Sequence, residues 1–113
     1  MIGRRIDEHQ GKSRIDVGVL DPAGELVGFG TVLYIGDQGE LCDFAVNPLD
    51  RGQGIGKALV DERLRLAEAA GVESLYMPYL MDTNTLRTFY YERGFHDTEH
   101  GEVVRGPNPA PIE

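Results

Sequence analysis

Between Arg14 and Leu20 polar and apolar residues alternate, with Ile15, Val17 and Val19 on one side. A period of two marks a half-buried strand. Asp21-Pro22-Ala23-Gly24 interrupts it, with Pro fixing φ and Gly free to take positive φ, as a turn requires. From Leu26 to Ile35 apolar residues fall on both faces, which predicts a strand covered on both sides. Gly36-Asp37-Gln38-Gly39 is a second turn, and residues 40–46 complete an antiparallel meander. Asn47-Pro48 ends the third strand, because Pro has no N–H for the ladder and biases its predecessor. The period then changes. From about 54 to 70, Ile55, Leu59, Leu66 and Ala70 share a helix face, opposite a charged stripe of Lys57, Asp61, Arg65 and Glu68. Gly71 suits the end of that helix. Residues 72–80 read as a strand interrupted late by Pro78, and a helix between two strands implies a parallel crossover. Asp82 and Thr83 can cap a second helix over 84–93, with Leu86, Phe89 and Tyr90 on one face and Gly94 at its end. Residues 95–104 hold one or two short strands, and 1–13 form a loose lead-in or a short edge strand around Ile2 to Ile6.

The junction of third strand and first helix carries three alternating glycines, Gly52, Gly54 and Gly56. The first turn of a helix presents unpaired N–H groups and the positive end of the macrodipole. Without side chains an anion can approach those amides closely, so the stretch Arg51-Gly52-Gln53-Gly54-Ile55-Gly56-Lys57 offers a backbone cradle for a phosphate or pyrophosphate. It is not a P-loop: Arg51 occupies the place of the first glycine, and Ala58 that of the magnesium-binding Ser or Thr. It is not a dinucleotide fingerprint either, since Lys57 stands where the third glycine belongs.

Composition narrows the partners. The 113 residues suit one domain, over 1–105, followed by a proline-rich tail over 106–113 expected to be disordered. The formal charge of −8 disfavours nucleic acid and anionic membranes and is compatible with a cationic acceptor. No apolar run reaches the length of a membrane span. The one cysteine, Cys42, excludes an intrachain disulfide and reads as a small buried hydrophobe in a reducing, cytoplasmic setting. His9, His96 and His100 have no ligand spacing, so no metal site is expected.

Arg51-x-x-Gly54-x-Gly56, following Val46-x-Pro48, resembles the acyl-CoA-binding signature of the GNAT N-acetyltransferases. Phe89-Tyr90-x-x-x-Gly94-Phe95 resembles the motif that ends the family's last helix. The resemblance covers roughly residues 14–100. It implies an α/β (α+β) fold with a mixed central sheet, an antiparallel meander followed by β-α-β-α-β. The thirteen residues ahead of Arg14 are too few for the family's usual first strand and two helices, so the chain looks like a minimal member lacking the N-terminal helices. The acceptor site is then open, completed by a partner subunit, or lost. An uncovered strand edge or apolar face points to a homodimer.

The implied chemistry is acetyl transfer from acetyl-CoA to a primary amine. The cofactor-binding residues are then Phe44, Ala45 and Val46, pairing with the pantetheine arm, the pyrophosphate loop of Arg51, Gly52, Gln53, Gly54, Ile55, Gly56 and Lys57, and Asn84 at the start of the second helix. Asn84 lies one position nearer the tyrosine than the family's usual Asn, which leaves Tyr91 as a rival to Tyr90. The Val46 N–H is placed to face the thioester oxygen. Tyr90 is the candidate acid for the departing thiolate, against a purely packing role. Glu40 is the candidate base; Asp43 and a water relay are the alternatives, and strict alternation would let only one of the two carboxylates face the acceptor. The rival class is a CoA-binding regulatory or interaction protein that keeps the cradle without an acceptor site.

Overall fold

The computed structural model describes residues 2–9, 11–78 and 84–112. Four strands form the meander: β1 (Ile2–His9), β2 (Lys12–Leu20), β3 (Leu26–Ile35) and β4 (Gln38–Val46). A short 3-10 helix, Pro48–Asp50, leads to α1 (Ile55–Ala69), then β5 (Ser74–Met77), α2 (Asn84–Tyr91), β6 (His96–Asp97) and β7 (Val103–Arg105). The strands make one sheet in the order β1-β2-β3-β4-β5-β7-β6. The β4–β5 pairing is parallel, as the crossover through α1 demands, and the other pairings are antiparallel.

The lead-in is a full strand. β1 pairs with β2 from Ile2↔Val19 to His9↔Lys12, and the chain reverses at Gly11, whose φ is +76°. β1 thus extends the antiparallel meander by one strand ahead of β2. Three of the β1 residues on the core side, Ile2, Arg4 and Ile6, lie opposite Val19, Val17 and Ile15. The edge-strand alternative around Ile2 to Ile6 is thus the one found, and the strand runs on to His9; Arg4 takes a position that alternation reserves for an apolar residue and weakens the pattern.

The core lies between one sheet face and the two helices. Ile15, Val17, Val32, Leu41, Leu75, Met77 and Val103 meet Leu59, Val60, Leu64 and Ala67 of α1 and Phe89 and Tyr90 of α2. Leu59 is fully buried, so Leu59→Ala is expected to cost about 2–5 kcal/mol, read as a lower denaturant midpoint at unchanged slope. Glycines let α1 sit close to β3: a Cβ at Gly28 would lie 3.0 Å from Ile55 Cγ2. Ala70, expected on the buried face, is exposed beyond the end of α1. Gly71 follows with φ +88°. Asp82 and Thr83 lie outside the described residues.

The other face of β3 is covered only in part: Val27 and Thr31 are buried there. Phe29 remains 41% exposed and Leu33 half-buried, with no helix against them among the described residues. The proline-rich tail starts against the sheet: the Asn108 N–H donates to Ser74 Oγ at 2.9 Å.

Candidate active site

Two features make the site: a fork in the sheet, and the glycine loop beside it. β5 pairs with β4 only from Gln38↔Ser74 to Glu40↔Tyr76. Beyond Glu40, residues 41–46 keep β3 as a neighbour but have no β5 residue opposite. Four residues of β5 end at Met77, and Pro78 cannot extend the ladder. Phe44, Ala45 and Val46, whose outer edge has no strand partner among the described residues, thus run directly into the loop before α1.

That loop is shaped by its glycines. Gly52 and Gly54 have φ of +84° and +79°, which side chains rarely adopt, and Gly54 is the N-cap of α1. No side chain caps the helix. The first helical bond runs from the Ala58 N–H to the Gly54 carbonyl, so the amides of Ile55, Gly56 and Lys57 precede it and have no intrahelical acceptor. Gly56 is packed beneath β4, where an added Cβ would lie 3.7 Å from the Phe44 ring. Arg51, Gln53 and Lys57 are exposed around the loop, and Lys57 Nζ lies 5.6 Å from the centre of the Phe89 ring on α2. These residues fit a diphosphate: amides and two cations converge on one helix end. Asn84 opens α2, but its side chain lies outside the described residues.

Strand β4 carries a bulge at Asp43, with φ +46° and a register shift opposite Gly30/Thr31. The bulge reverses the alternation. Leu41 faces the core before it, and Phe44 and Val46 face the core after it. Glu40, Cys42 and Asp43 therefore share the open face, and strict alternation fails at the one place where it separated the two carboxylates. Asp43 Oδ2 lies 4.0 Å from Arg14 Nη2, on the side of β2 opposite Ile15 and Val17. Glu40 stands at the mouth of the fork, and burial raises its carboxyl above the usual range. Cys42 is half-buried rather than in the core, and burial with the nearby Asp43 and Glu40 charges pushes its thiol up to about 11. It stays protonated and is no nucleophile near neutral pH.

From the helix side the fork is met by Tyr90. Its ring is buried edge-on against Phe95, centroids 5.2 Å apart. Its hydroxyl is not at the surface: Arg63 Nη2 donates to it at 2.6 Å. Burial raises the Tyr90 phenol, and the Arg63 charge and hydrogen bond oppose that rise. The same guanidinium donates through Nη1 to the carbonyls of Thr31, at 3.1 Å, and Cys42, at 3.3 Å. Cys42 is two residues past the last β4–β5 pair, so this bridge sets the Tyr90 hydroxyl beneath the open part of β4. Tyr91 turns outward and donates to Asp97 Oδ2 at 2.7 Å.

Arg63, which holds the Tyr90 hydroxyl beside the candidate site, is the residue that sequence reasoning passed over. Four residues past Leu59 and four before Ala67, it lies on the apolar stripe of α1, and Gly30 faces it from β3. A charge on the buried stripe opposite a strand glycine was the signal.

The family profile of the GNAT acetyltransferases matches residues 4–95, and the chain belongs to that family. No functionally curated protein matches it. Among solved structures it is similar to the PaiA N-acetyltransferase of Thermoplasma acidophilum in complex with coenzyme A. The identity is 21%, the TM-score 0.67, and the match covers 83% of this chain and 61% of that one. An acetyltransferase of Bacillus cereus matches at 17% identity and a TM-score of 0.65, over 84% of this chain and 71% of that one. Rv2747 of Mycobacterium tuberculosis, also in complex with CoA, is 28% identical at a TM-score of 0.62. There the match covers 74% of this chain but 49% of the other. The fold is thus that of the GNAT enzymes, on a shorter chain than several of its neighbours.

Proposed function

We propose that the protein is an acyl-CoA N-acyltransferase that moves an acetyl group from acetyl-CoA to a primary amine. The observation that carries the reading is the edge of β4, unpaired among the described residues, ending at the uncapped, glycine-built entrance of α1. In this reading the amides of Gly52 to Lys57, with Arg51, bind the pyrophosphate. The pantetheine arm lies along Phe44 to Val46 as a substitute strand, and the Val46 N–H faces the thioester oxygen.

The amine arrives on the open sheet face, where Glu40 and Asp43 provide negative charge for a cationic acceptor. Glu40, its carboxyl raised by burial, takes the ammonium proton directly or through water. The amine nitrogen then bonds to the thioester carbon and releases its second proton to water, the carbon–sulfur bond breaks, and Tyr90 gives its proton to the sulfur. Water returns a proton to the phenolate. A cytoplasmic setting suits both the donor and the unpaired Cys42.

Release of free thiol from acetyl-CoA, measured across amines, peptides and aminoglycosides, tests the reading. Amine-dependent release with an acetylated acceptor is the expected outcome. Tight CoA binding without release by any amine would make the protein a CoA-binding regulatory module instead.

The proposal includes a homodimer. β1 is an edge of the sheet, and Ile2 and Ile6 on it are 42% and 52% exposed, which favours pairing with a second copy. Light scattering is expected to give twice the 12.5 kDa chain mass, and a monomer at all working concentrations would contradict it.

A further inference from the structure

Arg63 is almost wholly buried, yet its hydrogen bonds run to neutral oxygens: the Thr31 and Cys42 carbonyls and the Tyr90 hydroxyl. Its Nε is a buried donor without a hydrogen-bond partner among the described residues. An arginine does not shed its proton when buried, so the core holds a cation with no carboxylate partner among the described residues. The surroundings are built around it. An added Cβ at Gly30 would lie 2.9 Å from Arg63 Cδ, so any larger residue there displaces the side chain. The bulge at Asp43 interrupts the ladder where the Thr31 and Cys42 carbonyls accept from Nη1. The Phe44 ring lies 5.0 Å from the guanidinium carbon. As pure packing this is a poor arrangement, because an apolar side chain would fill the space without desolvating a charge.

We propose that Arg63 is a positioning residue for acyl transfer, holding the Tyr90 hydroxyl oxygen from inside the core so that its proton points into the β4–β5 fork. The inference rests on the proposed function. Because Nη2 occupies a lone pair of the phenol oxygen, the hydroxyl proton is directed elsewhere, toward the sulfur leaving above it. As that proton moves to sulfur, negative charge grows on the oxygen beside a fixed cation. This interaction strengthens in the transition state, which is where stabilisation raises the rate. Arg63 itself touches neither substrate.

The test compares wild type, Arg63→Met, Arg63→Lys, Tyr90→Phe and the Arg63→Met/Tyr90→Phe pair. The readouts are thiol release and the Tyr90 ζ-carbon NMR shift in protein labelled at tyrosine. Arg63→Met is expected to lower kcat about tenfold while KM for acetyl-CoA stays within about twofold. Arg63→Lys, which keeps the charge, is expected to recover most of the loss. The double variant is expected to be no slower than Tyr90→Phe alone, because Arg63 acts only through that hydroxyl. The Tyr90 ζ-carbon resonance is expected to move in Arg63→Met. Should Arg63→Met fail to fold, Gly30→Ala displaces the guanidinium without removing it, and the same comparison applies. Losses that multiply in the double variant, or an Arg63→Met protein with wild-type kcat, would overturn the proposal. An unmoved Tyr90 resonance would overturn it whatever the turnover. A wild type that binds CoA and releases no thiol contradicts the proposed function, and the Tyr90 resonance still decides whether Arg63 governs that hydroxyl.

Discussion

Tyr90→Phe is expected to lower kcat by at least about 10², the usual scale of a general acid's contribution. CoA affinity should barely move. The substitution removes one oxygen from a buried ring, so the edge-on contact with Phe95 at 5.2 Å survives. What is lost is the proton for the thiolate and the acceptor for Arg63 Nη2. An Nη2 left without its acceptor in the core will also cost some stability, so turnover must be measured below the melting transition and normalised to folded protein. Tyr91→Phe is the internal control. Its hydroxyl serves only Asp97 on the outside of α2, and turnover should be unchanged. Loss with Tyr91→Phe and none with Tyr90→Phe would show that the one-position displacement of Asn84 was the better guide to the family register. Full activity in both would mean that the thiolate leaves unassisted.

Gly54→Glu is expected to abolish measurable CoA binding in calorimetry, a loss of at least about a hundredfold, which corresponds to roughly 3 kcal/mol. Two effects act together. At φ +79° a side chain strains the N-cap by about 1–2 kcal/mol. The carboxylate also meets the pyrophosphate, and like charges about 4 Å apart near a surface repel by roughly 4 kcal/mol. Gly54→Asn separates them, because Asn tolerates positive φ and adds no charge. It should weaken binding far less. Equal losses in the two variants would assign the effect to loop geometry instead of charge.

Much of the fold is legible in the chain because its signals are local. Asn47-Pro48 ends β4, the alternating glycines mark the entrance of α1, and Gly71 and Gly94 follow the two helices at φ +88° each. The loop residues of the candidate site are adjacent in sequence and could be read together. What escaped was long-range. Residues 2–6 could be read as a short edge strand, but the extension of β1 to His9 depends on the register that β2 offers, and Arg4 hides the period. The length of the β4–β5 pairing depends on where two distant segments diverge, and neither segment encodes that alone. The bulge at Asp43 did leave a trace: apolar positions 44 and 46 are out of phase with Leu41, and a strict period of two placed Asp43 on the wrong face. Arg63 was passed over because charges on a helix are assigned to solvent by default. Asp61 and Arg65 do lie outside, but they are not the i,i+4 pair that spacing suggests. Asp61 takes Arg93, just past the end of α2, at 2.5 Å, and Arg65 takes Glu62. Tertiary partners overrode the local ones.

The central claim is that one acyl-CoA lies across two elements, its diphosphate on the α1 amides and its arm along the open edge of β4. Amide NMR of isotopically labelled protein, titrated with CoA, tests this most directly. The amides of Gly52, Gly54, Ile55, Gly56 and Lys57 are expected to shift together with those of Phe44, Ala45 and Val46, all with one saturation curve. Shifts confined to other parts of the sheet, or no shifts at millimolar CoA, would contradict it.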